Sequence, residues 1–285
     1  MKKRDRLFNF FVALLILIVL TSILLPLYWT LKVSVSPERE IHSLPMRWTV
    51  SALYVKNYQE IFLSTAKAVG TAFTFKMGII NSLIIGATST ILTVLFGSLG
   101  AYAITRLKVR FSQLMTFFVL LTQMLPPVLL VIPLYMMGNT LGMLNTKRLL
   151  ALSYMALNLP LCIWILRGYF KTLPSEIEDS ALVDGCGRLG ALFKIVLPMS
   201  GPALFTAGLF VFIAAWNEFL FALVFTSNLD AKTMTVAMAE MIGRFRTDYG
   251  LMATSGILGS ILPLIFVTFF QRYLVSGITG GAVKQ

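Results

Sequence analysis

The chain consists of long apolar runs separated by shorter polar segments. Six runs approach the ~20 residues that an α-helix needs to cross the hydrocarbon core of a bilayer. They cover residues 8–31, 78–104, 114–137, 149–166, 202–226 and 251–274. Runs of this length and polarity are typical of membrane-spanning helices. The pattern predicts an all-α polytopic membrane protein with six transmembrane helices.

The first run follows a basic cluster, which makes a cleaved signal peptide the competing interpretation. Lys2, Lys3, Arg4 and Arg6 precede it. Its apolar core is longer than that of a signal peptide, and no small-x-small cleavage site follows a short apolar stretch. We therefore expect a retained helix and a long extracytoplasmic loop within residues 1–76. In that loop, Tyr54, Tyr58, Ile61 and Phe62 recur at helical spacing and predict a short amphipathic helix.

Composition excludes an ordinary soluble domain and a disordered chain. Of the 285 residues, 57% are hydrophobic and 13% are charged, and the net charge is +12. The basic residues form no cluster with interleaved aromatic residues, so we expect anionic lipid rather than nucleic acid as their partner. Basic residues flank the first run and occupy the short turn from Arg106 to Arg110. By the positive-inside rule, both termini and the segment 174–198 are cytoplasmic.

Segment 174–198 is a polar, glycine-punctuated island between two apolar runs. It carries four acidic and two basic residues, more than a simple connecting loop needs. Ser175 and Glu178 have the spacing of a capping box, which predicts a helix start. Gly185 predicts a left-handed helix end, and Pro198 ends the next apolar segment. An ordered element of this kind on a membrane protein indicates a docking site.

Motifs for nucleotide binding and catalysis lack their required context. The run from Gly185 to Gly190 matches G-x-G-x-x-G, but a predicted helix precedes it where a dinucleotide site needs a strand. No Walker A sequence is present, and His42 is the single histidine. Without a second His or a clustered Cys, we expect His42 to be an ordinary surface residue. We predict no catalytic residue, metal site or cofactor on this chain.

An acidic residue interrupts the fifth apolar run. Glu218 follows Trp216 and Asn217 near the middle of the run, where a charge costs several kcal/mol without a polar partner. One interpretation is that Trp216, Asn217 and Glu218 line a translocation path or its gate. The other is a structural carboxylate bonded to neighbouring helices. The sequence names no partner, so both interpretations stay open.

The island resembles the EAA loop of binding-protein-dependent ABC importer permeases. The family pattern of EAA, DG and I-x-LP falls on Asp179-Ser180-Ala181, Asp184-Gly185 and Ile195-Val-Leu197-Pro198. Two departures, Asp179 for Glu and Ser180 for Ala, conserve charge or size. Other stretches resemble the carbohydrate branch, and the G-type subunits of maltose permeases in particular. These are Asn81-Ser82, Ala101-Tyr102-Ala103 with Arg106, Leu166-Arg167-Gly168, Trp216-Asn217-Glu218-Phe219 and the tail from Gly277 to Lys284.

The resemblance implies a sugar permease subunit with the type I ABC importer architecture, in the inner or plasma membrane of a bacterium or archaeon. The shared membrane domain would span 77–275 and a cytoplasmic tail 276–285. Implied partners are a homologous second permease subunit, two cytoplasmic ATPases that bind ATP and Mg, and an extracytoplasmic solute-binding protein. ATPase coupling would fall on Glu178, Asp179, Ser180, Ala181, Asp184, Gly185, Leu197 and Pro198. An extended tail with Gly280, Gly281 and Lys284 would reach the ATPases.

Two alternatives remain within transport. One is an ABC permease for another solute, such as glycerol phosphate, which the WNEF run and the tail do not separate from a sugar permease. The other is an ion-coupled secondary transporter that works alone. We find no internal repeat, which disfavours the second alternative because many such transporters consist of two inverted halves.

Overall fold

The computed structural model describes residues 2–65, 70–107, 109–243 and 247–282, with side chains described from 7 to 269 within these ranges. Over the described residues the chain is helical, and β-structure is limited to one isolated bridge between Ile242 and Thr247. The all-α prediction agrees with this content. The helices are α1 Lys2–Ser34, α2 Glu38–Ile41, α3 Lys56–Leu63, α4 Thr71–Arg106, α5 Ser112–Thr122, α6 Val128–Thr140, α7 Lys147–Phe170, α8 Ser175–Val183, α9 Arg188–Ala191, α10 Leu197–Met199, α11 Gly201–Trp216, α12 Leu220–Phe225, α13 Met234–Ala239 and α14 Tyr249–Ala282.

Four helices of the described chain are by themselves long and apolar enough to cross a membrane. They are Leu7–Ser34, Thr71–Arg106, Lys147–Phe170 and Tyr249–Phe269. A fifth candidate is a pair of helices bent by 83°, Arg188–Met199 and Gly201–Trp216. The predicted third span is divided between α5 and α6, because Pro126 and Pro127 lack the N–H groups that a continuous helix would need. The count of six spans stays a prediction.

The chain divides into two compact units. The first contains Met1–Lys76 and Met238–Ile261, and the second contains Met77–Ala237 and Leu262–Gln285. Within the first unit, the amphipathic helix predicted around Tyr58 is present as α3, with Ile61 buried. Thr254 of α14 donates a hydrogen bond from its hydroxyl to the Ser34 carbonyl at 3.3 Å. This bond ties the end of α1 to the start of α14.

The core of the second unit forms around α7. Its first half packs Leu150 and Tyr154 against Phe225 of α12, and its second half packs Leu166 and Phe170 against α4 and α11. Between membrane helices, such packing stabilises through van der Waals contact rather than through removal of the side chains from water. Close approach of α4 and α7 requires a small residue, because a Cβ built at Gly97 would lie 2.6 Å from the Cys162 sulfur. Small residues allow membrane helices to approach one another closely in this way.

Polar side chains near the start of α4 fix the segment before α13. The Asn81 amide donates hydrogen bonds to the carbonyls of Leu229 and Lys232, both at 2.9 Å. The neighbouring Ser82 hydroxyl accepts a hydrogen bond from the Met234 N–H at 3.0 Å. Asn81-Ser82 is one of the stretches shared with sugar permeases, and here it has a structural role.

Candidate functional site

The island folds into a helix as predicted, but the start of that helix differs from the prediction. Helix α8 spans Ser175–Val183, and the cap position is Pro174, with no side-chain capping bond. Glu178 is instead buried and turned toward α4. The capping box with Ser175 was therefore wrong. At an exposed helix start, water can satisfy the free N–H groups, whereas the arginines beside Glu178 need a carboxylate.

The end of α8 is as predicted. Gly185 has φ +84°, the left-handed conformation that favours glycine. The Cys186 N–H donates to the Ala181 carbonyl at 2.9 Å, and the Gly185 N–H donates to the Leu182 carbonyl at 3.2 Å. These two bonds form a Schellman motif, which satisfies carbonyls that a helix end leaves free. Nothing lies within 4 Å of a Cβ built at Gly185, so conformation alone restricts this position.

Glu178 is the centre of a buried ionic cluster. The Tyr102 hydroxyl of α4 donates to one carboxylate oxygen at 2.6 Å. The same oxygen lies 3.3 Å from Nη1 of Arg188, and the other lies 3.4 Å from Nε of Arg106. The side chain of Arg188 is 54% exposed and that of Arg106 is 13% exposed. A buried carboxylate with these partners fixes α8 against the end of α4.

Arg106 also links this cluster to the end of α7. Its Nη2 donates to the Phe170 carbonyl at 2.9 Å and to the Leu173 carbonyl at 2.7 Å. The last carbonyls of a helix have no partner within the helix, and a basic side chain can satisfy them. One guanidinium therefore joins α4, α7 and α8. Any movement of α8 must either carry these helix ends with it or break the cluster.

The opposite surface of the island is exposed and combines acidic with apolar residues. Asp179, Ser180, Asp184, Gly185 and Pro198 are exposed, while Ala181 and Leu197 are half-buried. The exposed large apolar side chains are Ile177, Val183, Leu189 and Phe193. Val183 is 87% exposed, although it lies outside the apolar runs that would face lipid. Exposed apolar residues rimmed by charged ones indicate a protein-binding surface.

The island returns to the apolar bundle through a sharp bend. Residues Leu192–Val196 form a π-helical turn, and Pro198 lies in the short helix that follows. Ser200 then donates from its hydroxyl to the Val196 carbonyl at 2.6 Å. The axes on either side of Ser200 differ by 83°. Proline and π-helical turns are recognised causes of such kinks, and here they separate the surface helices from α11.

Glu218 lies at a break between α11 and α12, and the structure supplies the partner that the sequence did not name. The Tyr154 hydroxyl donates to the Glu218 carboxylate at 2.6 Å. The N–H groups of Phe221 and Ala222 donate to the same carboxylate at 2.9 and 3.2 Å. The carboxylate therefore caps the first turn of α12 and binds α7. These bonds favour the structural interpretation of Glu218.

The other two residues of the predicted path differ in exposure. Trp216 is buried and stacked on Phe212, with ring centroids 5.7 Å apart. Asn217 is exposed, and its side-chain amide donates to the Ile213 carbonyl at 2.9 Å. In this conformation Asn217, and not Trp216, presents its side chain at a surface of the chain.

The C-terminal tail departs from the extended form that was predicted. Helix α14 continues through Gly280 and Gly281 to Ala282. The expectation of an extended segment was therefore wrong for these two glycines. Glycine carries only a modest cost in a helix interior, so two glycines do not by themselves end a long helix. Lys284 lies outside the described residues.

Sequence reasoning missed the partners of Glu178. Tyr102 and Arg106 were noted as part of a shared stretch, but no role was assigned to them. They lie four residues apart on α4, so both face the same side of that helix. That spacing at the end of an apolar run was the available signal for a polar contact with the island.

The helices and the site define a class of protein, which is a helical membrane protein with an ordered, exposed surface of acidic and apolar residues. Comparison with known families then gives a specific assignment. The family model described as "Binding-protein-dependent transport system inner membrane component" matches residues 93–280. The chain belongs to this family.

Relatives and solved structures agree with this assignment. The chain is 34% identical to the sulfoquinovosyl glycerol transport system permease protein SmoH of Agrobacterium fabrum, covering 94% of this chain and 91% of SmoH. It is 41% identical to the trehalose/maltose transport system permease protein MalG of Thermococcus litoralis, covering 72% of this chain and 74% of MalG. A chain of a bacterial ABC transporter involved in the import of the acidic polysaccharide alginate has the same fold. Its TM-score is 0.80 at 20% identity, covering 94% of this chain and 97% of that chain.

Proposed function

We propose that this chain is the membrane permease subunit of an ATP-driven sugar importer. The observation that carries the proposal is an exposed acidic and apolar docking surface fixed through Glu178 to the ends of α4 and α7. The names of SmoH and MalG, which refer to sugar-containing solutes, support a sugar as cargo. The chain lacks a Walker A sequence, so ATP and Mg would bind to partner ATPases.

We propose six membrane spans with both termini in the cytoplasm. The 16 residues of α11 rise about 24 Å, which is less than the ~30 Å hydrocarbon core. Adding the six residues of α12 contributes about 9 Å more, enough to complete a span across the break at Glu218. In the same way, α5 and α6 would together form the third span. Broken spans are tolerated where neighbouring groups satisfy the freed backbone, as Glu218 does here.

Coupling would proceed through the docking surface. Two cytoplasmic ATPases, one on this chain and one on a homologous second permease subunit, would close on binding ATP. Helix α8 would move with its ATPase, and the Glu178 cluster would transmit that movement to α4 and α7. Such a switch requires contacts that differ between its two states, and the docking surface is where those contacts would change. An extracytoplasmic binding protein would deliver the solute.

Residues at the break in the fifth span would contribute to the translocation path. Asn217 would face the path, Glu218 would hold the break open, and Trp216 would pack behind them. The exposure of Asn217 and the capping bonds of Glu218 support this division. At the C-terminus, Gly280, Gly281 and Lys284 would contribute to a contact with the ATPases.

Replacing Val183 with aspartate tests the docking surface. Val183 is 87% exposed, so its loss should not disturb the fold, but the new charge would weaken an apolar contact with the ATPase. We expect the variant to lose its ATPase on co-purification and to lose ATP-dependent uptake of maltose and trehalose in proteoliposomes. The matched control is Leu44→Asp, at an apolar residue that is 90% exposed elsewhere.

The same assay separates the alternatives. Retention of the ATPase and of uptake by the Val183→Asp complex would refute the docking proposal. ATP-dependent uptake of glycerol phosphate without sugar uptake would leave the permease class intact but change the cargo. Uptake by this chain in liposomes that lack any ATPase would identify a secondary transporter instead.

A further inference from the structure

A polar and aromatic cavity lies in the first unit and shares no residue with the docking surface or with the break at Glu218. Its volume is about 340 Å³, near the lower end of the ~300–1,000 Å³ range of ligand pockets. The residues that characterise it are Trp29, Lys32, Glu40, His42, Arg47 and Tyr249. In the orientation proposed above, it lies at the extracytoplasmic end of α1. The proposed function does not use it.

The floor of this cavity is a buried ion pair with an unused acceptor. Nζ of Lys32 lies 3.6 Å from Oε1 of Glu40, and the two side chains are only 2% and 4% exposed. Ser51 donates to Oε2 from its hydroxyl at 2.5 Å and from its N–H at 3.4 Å. Oε1 is buried and accepts no hydrogen bond. Buried carboxylate oxygens are normally satisfied, whereas this one has only the Lys32 ammonium at 3.6 Å and lacks a hydrogen-bond donor that a ligand could supply.

The surroundings of Glu40 favour the ionised form of its carboxyl group. The hydrogen bond from Ser51 lowers the pKa of Glu40 below its ordinary value, against the opposing effect of burial, and Lys32 and Arg47 contribute in the same direction as Ser51. At neutral pH the group is a carboxylate, which only accepts hydrogen bonds. Its charge offsets one of the two positive charges that Lys32 and Arg47 bring to the lining.

Aromatic rings form another part of the wall. Nζ of Lys32 lies 5.2 Å from the centre of the Trp29 ring, and the Trp48 ring packs on Trp29 at 5.4 Å. His42 packs edge-on against Tyr249 at 5.7 Å. These contacts hold Trp29 and Tyr249 in fixed orientations. Rings of this kind offer apolar faces beside polar groups.

We propose that this cavity binds a neutral saccharide. A sugar ring has C–H faces that can pack on Trp29 or Tyr249, and its hydroxyl groups both donate and accept hydrogen bonds. One hydroxyl would donate to Oε1 of Glu40, and others would accept from Arg47 or His42. An anionic headgroup would satisfy Arg47 but would leave Oε1 without a donor. The site is distinct from the proposed path at Asn217 and does not depend on transport by this chain.

Binding of trehalose and maltose to the full-length chain in phospholipid nanodiscs tests this proposal. Detergents with sugar headgroups must be avoided because they would compete. Saturation-transfer NMR and calorimetry should detect binding to the wild type. Tyr249→Ala and Glu40→Gln should weaken it at least about tenfold, the typical effect of losing one strong contact. Tyr249→Phe keeps the ring and should bind like the wild type.

Matched controls separate this site from the path and from misfolding. Phe62→Ala and Glu60→Gln alter exposed residues of α3 in the same unit and should bind normally. Asn217→Ala should also keep binding to the cavity. Absence of sugar binding by the wild type would overturn the proposal, as would binding insensitive to Tyr249→Ala or competition by inorganic phosphate. ATP-driven sugar uptake by the whole complex without binding here would leave the proposed function standing.

Discussion

Replacing Glu178 with glutamine removes the charge of the buried carboxylate and keeps its size. Breaking a buried ion pair by removing one partner typically costs about 3–5 kcal/mol. The free-energy cost of Glu178→Gln should be smaller. Arg106 keeps its bonds to the Phe170 and Leu173 carbonyls, and the half-exposed Arg188 contributes no more than about 1 kcal/mol. We therefore expect the attachment of α8 to α4 to weaken by about 2–3 kcal/mol.

This loss corresponds to a factor of about 30–150 in the equilibrium between attached and detached α8. The exposed surface of α8 is unchanged, so the ATPase should still bind. ATP hydrolysis would then proceed without moving α4, and the number of sugar molecules imported per ATP should fall. The assay is simultaneous measurement of sugar uptake and phosphate release in proteoliposomes that contain the complete complex.

Glu176→Gln is the matched control. Glu176 lies in the same helical turn but is exposed, so its change should leave the sugar-to-ATP ratio unaltered. Tyr102→Phe should give a milder effect in the direction of Glu178→Gln. It removes the hydrogen bonds of the hydroxyl to Glu178 at 2.6 Å and to the Arg188 carbonyl at 3.1 Å but leaves both arginine ion pairs. An unchanged ratio for Glu178→Gln would refute the reasoning. Equal loss of ATPase binding in the Glu176 and Glu178 variants would indicate a direct contact with the ATPase instead.

Three further predictions concern other parts of the chain. Gly185→Val should reduce coupled uptake without preventing membrane insertion. The left-handed conformation at φ +84° costs most non-glycine residues ~1–2 kcal/mol, and a β-branched residue more. Normal uptake by this variant would contradict the prediction. Tyr154→Phe removes a 2.6 Å hydrogen bond to Glu218 and should lower the melting temperature, with Tyr135→Phe as control. The hydrogen bond from Ser51 keeps the pKa of Glu40 below its ordinary value of 4.5. The stability that this bond contributes is therefore complete above pH 4.5 and is lost as the pH falls through the lowered pKa of Glu40. The protection factor of the Ser51 amide, which is its exchange rate relative to the intrinsic rate at the same pH, should therefore fall in acid. Ser51→Ala should weaken that dependence, because the N–H of residue 51 still donates to Oε2 of Glu40.

Local signals in the sequence predicted local structure well. The helix of the island and its left-handed end at Gly185 follow from the backbone preferences of a few residues. The family pattern around Asp184 and Gly185 predicted the protein family, which the match over residues 93–280 confirmed. These features depend on a few neighbouring residues, so a sequence is enough to recognise them.

Contacts between distant residues were beyond the same reasoning. The local spacing of Ser175 and Glu178 predicted a capping box, whereas Glu178 bonds to Tyr102, 76 positions away. Glu218 accepts a hydrogen bond from Tyr154, which is 64 positions away in the sequence. No pattern within the fifth run could indicate that contact. A buried carboxylate is stabilised most by charged and hydrogen-bonding partners, which here come from distant parts of the chain. Those contacts outweigh a capping bond to a neighbouring residue.

The Schellman motif places a native thiol at the end of the docking helix. The chain has two cysteines, and Cys162 is enclosed between α4 and α7, while Cys186 is partly accessible. A spin label or fluorophore attached at Cys186 would therefore report on α8 in the unmodified sequence. Movement of α8 of the kind proposed above would change the mobility of the label, so that movement could be followed in real time without an engineered reporter site.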